Sequence, residues 1–366
     1  MDTLHRKKLK KRLIRTGITV VSGAAVYGAA HKIPATQHYL FRPLSRFLSE
    51  RLAVFFSFVP ISVAECLLLT ALLAFPVFVS MAIIRSLQSK KFSLLAVYAS
   101  QLLYITTLAF LLFLLLWGTN YYAPPLETFL GLKAAPATES ELWDAACYYG
   151  ENMNAWAVQT PRTSRGDADF GSFYNIRLHA PQGYTLLAQQ YDIFYAHPMP
   201  PKAILSSRLM SYTGLAGIYM PFTGEANINT LTPDALLPFT ICHELAHRQG
   251  VAPEEEANFA AFLACEKNPD PRYQYASYFA AFLYCFNELP AQQRTAMWER
   301  MHPYAQMDFQ AIWEHNDAFA GPARAVSSQI NDTYLKAMNQ PEGVRSYGRV
   351  VDLLIAEYKR RTSLSD

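Results

Sequence analysis

Two histidines four residues apart with a glutamate between them, His243, Glu244 and His247, have the types and spacing to do chemistry. On a helix, positions i and i+4 share a face, so both imidazoles can point at one ion. Glu244 follows His243 and stands about 100° further round, where its carboxylate reaches a water beside that ion. A catalytic zinc takes three protein ligands and keeps one open position. It brings the pKa of a held water toward about 7, and a neighbouring carboxylate can then take the proton. The chemistry is hydrolysis at a carbonyl. The plainer reading is a surface helix that happens to carry these residues. Context favours the metal: Pro238 suits a first helical turn, Phe239, Ile241, Cys242, Leu245 and Ala246 form an apolar side, and Gly250 is a stop.

Two histidines leave the ligand set incomplete. Pro253 can start a second helix, and Glu254, Glu255 and Glu256 fill its first turn. Three acids there also suit the helix dipole with no metal present. A turn at Gly250 returns this helix to the first, and Glu254 and Asn258 share a face at i and i+4. Only one of the three glutamates can face the metal well. The pattern Glu254-x-x-Ala257-Asn258 resembles the Glu-x-x-Ala-Asp ligand helix of membrane zincins such as the prenyl-protein and heat-shock membrane proteases. That resemblance implies Glu254 as third ligand, with Glu256 as the alternative, and Asn258 as the residue that orients a histidine ligand. Asn258 stands where those families have aspartate, and the link to the first motif is shorter here.

The elements that must position this site are legible as patterns. Thr138-Glu139-Ser140-Glu141 has capping-box spacing and opens a helix over 138–158. A polar loop follows over 159–172, then a helix from Pro181 to Tyr195. Ala203–Ser207, Gly217–Met220 and Ala226–Asn229 read as short strands of a small antiparallel sheet directly before the motif helix. An edge strand there could hold a peptide backbone beside the metal. Glu225, Asn227 and Asn229 are candidates to line that cleft. For stabilising an oxyanion, Tyr275, Tyr278, Arg345 and Tyr347 are candidates, with Tyr347 preferred. His302 and His315 read as ordinary helix or loop residues.

The chain has 366 residues, of which 51% are apolar and 17% charged, a low charge content for a soluble protein. Three apolar segments, 13–30, 63–84 and 94–117, are long enough to span a bilayer. Residues 1–118 thus read as a membrane anchor and 119–366 as one mainly helical, α+β domain. The net charge of +3 excludes nothing by itself. Its placement is more telling. Arg6, Lys7, Lys8, Lys10, Lys11, Arg12 and Arg15 precede the first span, and Arg85, Lys90 and Lys91 lie between the second and third. Beside apolar segments such runs mark cytoplasmic flanks of the cytoplasmic membrane, not a nucleic-acid surface. The N-terminus is then cytoplasmic and everything after Trp117 extracytoplasmic. Lys32, Arg42, Arg46 and Arg51 in the 31–62 loop run against this rule, and the stretch Leu52–Val59 suggests an interfacial helix. A cleaved signal peptide is the rival for the first segment. Cys265 and Cys285 could pair in an oxidising compartment, though no spacing demands it.

The whole chain resembles an uncharacterised bacterial family of three-pass membrane proteins with an extracytoplasmic His-Glu-x-x-His domain of zincin type. Trp117–Tyr122, Tyr219–Asn227, His243–His247, Glu254–Phe259 and Ser346–Gly348 carry the resemblance. It implies a membrane-anchored zinc endopeptidase. His243, His247 and Glu254 would hold Zn²⁺, and Glu244 would be the general base toward a peptide or protein substrate. A catalytically degenerate domain serving as membrane receptor or assembly module is the non-enzymatic rival. Proteolysis within the bilayer is disfavoured, because Pro233-Asp234 and Glu254–Glu256 flank the motif.

Overall fold

The computed structural model describes residues 3–340 and 347–363. Three of its helices, His5–Lys32, Val63–Gln88 and Ser93–Leu116, are long and apolar enough to cross a membrane. They contain the first two segments expected from the sequence and all of the third except its last residue, Trp117. The first and third run side by side in the same direction. Arg12 donates to the Val97 carbonyl at 2.7 Å and to Gln101 at 2.8 Å, Thr19 meets Thr107 at 2.8 Å, and Tyr27 packs edge-on to Tyr122. The second runs the other way and meets the third through Phe78, Arg85 and Tyr98. Pro76 sits inside the second helix without ending it.

The remainder gathers at the Lys32, Val63 and Leu116 ends of these helices. A helix over Arg42–Ser57 lies there with Ser45, Ser49 and Ala53 buried, while Phe47, Phe55 and the following Phe58 are exposed. This is the amphipathic element expected near Leu52–Val59, extended by ten residues toward the N-terminus. Two of its arginines have partners within the protein. Arg42 stacks on Phe129 at 4.7 Å and Arg46 on Tyr195 at 4.4 Å. Those two charges therefore have aromatic partners within the protein.

The core is helical. The motif helix Leu237–Arg248 and the acidic helix Glu254–Lys267 pack on each other and on Phe173–Leu187, Pro271–Glu288 and Tyr347–Ser363. Phe259, Phe262, Phe279 and Phe282 are wholly buried, each stabilising the fold by about 1.5–3 kcal/mol. Close approach needs small residues. A Cβ on Gly183 would sit 2.0 Å from the Ala264 carbonyl oxygen, so only glycine fits that crossing. The Thr138 cap is present: its hydroxyl accepts from the Glu141 N–H, and Glu141 accepts from the Thr138 N–H at 2.8 Å. The next helix begins at Phe173, capped by Ser172, rather than at Pro181. Pro181 lies within it. The chain leaves the helix at Leu187, before the expected end at Tyr195.

The sheet has three strands, β1 (Lys202–Ala203), β2 (Gly217–Met220) and β3 (Glu225–Ile228), in the order β1-β3-β2. β2 pairs with β3 antiparallel, but β1 pairs with β3 in parallel. The expected antiparallel sheet is therefore a mixed one. The reason is local. After Ala203 the chain turns into a helix over Ser207–Thr213, so it reaches β2 by a crossover instead of a hairpin. All five cysteines are free, and the buried Cys265 donates to the Pro238 carbonyl of the motif helix.

Candidate metal and hydrolytic site

Leu237–Arg248 is a helix because Pro238 fits its first turn and Leu237, Phe239, Ile241, Cys242, Leu245 and Ala246 offer buried apolar side chains to the core. Gly250 ends it at φ +87°, a conformation that favours glycine. The chain then doubles back, and Pro253 caps the acidic helix. This turn brings three side chains together. His243 Nε2 lies 3.3 Å from Glu254 Oε2, and His247 Nε2 lies 3.6 Å from Glu254 Oε1. The donor atoms of His243, His247 and Glu254 all lie within 4.8 Å of one another, a group that could hold a metal ion.

The two histidine–glutamate separations are near those of ligands sharing an ion. Bonds of about 2.0–2.1 Å in tetrahedral geometry set ligand atoms roughly 3.3–3.4 Å apart. A direct imidazolium–carboxylate hydrogen bond would be shorter, about 2.7–2.9 Å. His247 is oriented by its other nitrogen, which contacts the Val251 carbonyl at 2.8 Å. With that carbonyl accepting from Nδ1–H, the Nε2 lone pair is free for a ligand. Asn258 contacts the His243 ring, although its amide nitrogen and His243 Nδ1 both lack an acceptor as placed. Turning the amide offers Oδ1 to Nδ1–H; amide orientation follows from such networks.

The three adjacent glutamates go three ways. Glu254 faces the histidines. Glu255 accepts from Gln340 at 3.0 Å and faces Arg349. Glu256 points to the Leu126 backbone, and burial raises its pKa to about 8. Burial would raise Glu254 too, but His247 and His243 outweigh it and hold Glu254 at about 2. Burial, with His243 adding to it, lowers His247 to about 4 against the pull of Glu254. Burial also opposes protonation of His243, yet Glu254 and Glu244 raise it on balance.

Glu244 projects beside this group. It is 5% exposed, and its Oε2 has no hydrogen-bond partner. Burial, reinforced by Glu254, raises its pKa to about 8 against His243 and the Tyr219 backbone. β2 runs alongside: a Cβ on Gly217 would sit 2.5 Å from both Cγ and Oε1 of Glu244. β2 is an edge strand. The Ala216 carbonyl just before it accepts from the Asn229 N–H at 2.9 Å, and the Met220 carbonyl accepts from the Gly224 N–H in the turn to β3 at 2.8 Å. By alternation, the main-chain groups of Gly217 and Tyr219 face outward.

These groups line a cavity of about 1080 Å³. Its walls include β2, Phe113 and Trp117 of the third apolar helix and its end, and Tyr334. Trp117 stands edge-on to the His247 ring, and Tyr121 donates to the Tyr334 hydroxyl at 3.1 Å. Burial raises both tyrosines well above or above their usual pKa, with Glu254 adding to the effect, so both stay protonated donors.

Several residues singled out from the sequence lie elsewhere. Glu225, Asn227 and Asn229 are buried and committed to structure, not to the cavity lining. Glu225 accepts from the Ala64 N–H at 2.8 Å and the Val63 N–H at 3.3 Å, and pairs with Lys202. Asn227 accepts from Ser62 at 2.7 Å, and Asn229 donates to Ser211 at 2.9 Å. Tyr275 bonds to Asp308, which pairs with Arg162, and Tyr278 donates to Glu266. Neither lines the cavity. Arg345 lies outside the described residues. Tyr347 opens the last helix, but its side chain is outside the described set. Tyr334 carried no motif, and Tyr121 lay in the Trp117–Tyr122 segment with no role in the site assigned to it. Their local sequence signal was proximity to the end of a span for Tyr121 and, for Tyr334, an i, i+4, i+8 apolar row, Val326, Ile330 and Tyr334, in its helix.

No curated protein and no solved structure matches the chain. One family model matches residues 39–355, a stretch that takes in the second and third apolar helices, the sheet, the motif helix and the acidic helix. The chain therefore belongs to the family described as protein of unknown function DUF3810.

Proposed function

We propose that this protein is a membrane-anchored zinc endopeptidase whose domain works on the extracytoplasmic face of the cytoplasmic membrane. The observation that carries this reading is the convergence of His243, His247 and Glu254 beside a buried carboxylate oxygen of Glu244 that has no partner. His243 Nε2, His247 Nε2 and a Glu254 oxygen would hold the ion. When bound, zinc supplies a Lewis acid and lowers the pKa of water toward about 7.

The chain's own residues do the rest. Glu244 takes a proton from water and returns it to the leaving amine. Its pKa of about 8 reflects burial and the neighbouring Glu254, and a metal cation's charge would favour the carboxylate form needed for a base. The outward main-chain groups of Gly217 and the Tyr219 carbonyl can bind an extended peptide as an added strand, while the Tyr219 N–H faces Glu244. Tyr334, held by Tyr121, is placed to donate a hydrogen bond to developing oxyanion charge.

Metal analysis of the purified full-length protein tests this reading. About one zinc per chain is expected, lost when His243 and His247 are both replaced by alanine. Glu244→Gln should keep the zinc and lose peptide hydrolysis by on the order of 10²–10⁴-fold. Absence of metal from the parent protein would favour a receptor or assembly module, and full hydrolysis by Glu244→Gln would remove Glu244 as the base.

A further inference from the structure

The cavity lies unusually close to the apolar helices. Phe113, three residues before the end of the third helix, lines it and packs on Tyr334 with ring centroids 6.4 Å apart. Tyr334 belongs to the helix Pro322–Ala337. The N-terminal part of that helix packs on Ser207–Thr213 and Gly214, where a Cβ on Gly214 would meet Arg324 at 3.0 Å. The turn before Ser207 is fastened to the second apolar helix. Glu65, in its first turn, accepts from the Leu205 and Ser206 N–H groups at 2.8 Å each. Pro322–Ala337 thus bridges the second and third apolar helices at the level of their shared end.

What this bridge exposes is apolar. Leu205, Leu209, Val326 and Ile330 are 71%, 70%, 57% and 65% exposed. Val326 and Ile330 are also cavity-lining residues, two turns and one turn from Tyr334 on the same face. Below them Leu72, Leu73 and Phe110 of the apolar helices are exposed as well. A helix with one apolar face lies stably in the interface plane of a bilayer. An apolar rim continuous with membrane-length helices fits acyl chains, whereas water would leave it unsatisfied.

We propose that the cavity opens sideways onto the leaflet at the Leu116 end, with Leu205, Leu209, Val326 and Ile330 in contact with lipid. The guest it admits is then a peptide segment adjoining a membrane anchor, not a freely soluble chain. The peptide identity of the guest rests on the peptidase reading; the lipid contact does not, and it is measured without turnover.

The test uses the full chain in phospholipid vesicles, in a Cys66→Ser, Cys147→Ser background whose remaining cysteines are buried. A bimane label is placed at Leu209→Cys, Ile330→Cys or Leu205→Cys. Val158→Cys is the control: Val158 is exposed but follows the helix Glu139–Ala157, which packs on core helices. Brominated acyl chains should quench the three rim labels at least threefold more than the control, and aqueous iodide should do the reverse. Iodide quenching of the rim labels equal to that of Val158→Cys overturns the proposal, whether or not the protein binds zinc. Three independent rim positions keep the test decisive if one variant does not fold.

Discussion

The indole of Trp117, the first residue past the third apolar helix, stands edge-on to the imidazole of His247, with centroids 5.5 Å apart and planes at 87°. The same indole packs on Tyr219 of β2 at 5.0 Å. One aromatic residue therefore touches a candidate ligand and the candidate substrate strand. His247 is fixed from two sides, by this ring and by the Val251 carbonyl. The apolar helices are part of the site's construction.

The acidic turn separates the roles of its three glutamates. Glu254→Gln should lower zinc affinity by more than the roughly 100-fold that loss of an outer partner brings. Glu255→Gln and Glu256→Gln should leave zinc content unchanged, because their side chains face Gln340 and the Leu126 backbone. Zinc titration of the three variants checks this. Normal affinity in Glu254→Gln would remove it from the ligand set.

Gly217 is predicted to matter by what it lacks. A methyl group there would sit 2.5 Å from Glu244 Cγ, closer than real contacts allow. Gly217→Ala should displace the carboxylate, cutting hydrolysis about tenfold or more while zinc content stays the same. Parallel measurement of turnover and bound zinc separates this from a folding defect.

The pair Lys202–Glu225 should act on stability alone. Both side chains are buried, and Lys202 also donates to the Phe56 and Ile61 carbonyls at 2.8 and 3.0 Å. Removing one partner of a buried pair leaves the other charge uncompensated, at a cost of about 3–5 kcal/mol. Glu225→Ala should lower the thermal midpoint markedly, with zinc affinity retained below that temperature. A variant of normal stability that loses only substrate affinity would restore Glu225 to the cleft.

His197 predicts an acid sensitivity. It is buried beside Arg248, and burial first, then that charge, lowers its pKa to about 3. An unfolded histidine takes up its proton near 6.5. The unfolded chain thus binds more protons at acid pH. The stability His197 contributes is complete above about pH 6.5 and falls as pH drops toward 3, by at most about 1.4 kcal/mol per unit. Denaturant unfolding of His197→Gln across this range should give a shallower loss than the parent protein.

Much of this arrangement was legible in the residues. The three apolar helices, the Thr138 cap, Pro238, Gly250 and Pro253 each declare themselves by local physics. So did the pairing of His243 and His247, because helical period alone fixes it. Glu254 needed its resemblance to another ligand helix, since three neighbouring acids differ only in direction, and direction is set by the turn at Gly250. The parallel placement of β1 was not legible, because sheet order depends on a crossover through Ser207–Thr213. Nor were the duties of Glu225 and Asn227. Polar residues beside a motif look like cleft residues until their partners, far away near residues 62–64, are known. Tyr334 lies 80 residues from Glu254 and 213 from Tyr121, and no local pattern links them.

Glu225 has one more implication. Its carboxylate closes the open N-terminal turn of the second apolar helix, and Ser45 takes the Asn120 amide at 3.0 Å while donating to the Leu116 carbonyl at 2.9 Å. Excising a polypeptide at residue 119 would strip Asn120, Glu225 and Asn227 of the partners that Ser45, Val63, Ala64 and Ser62 supply and uncover the surface they close. The part of the chain after residue 119 is therefore no cargo on a leash. It is completed by the segment that precedes it, and biochemistry on this protein begins with the entire chain in detergent or lipid.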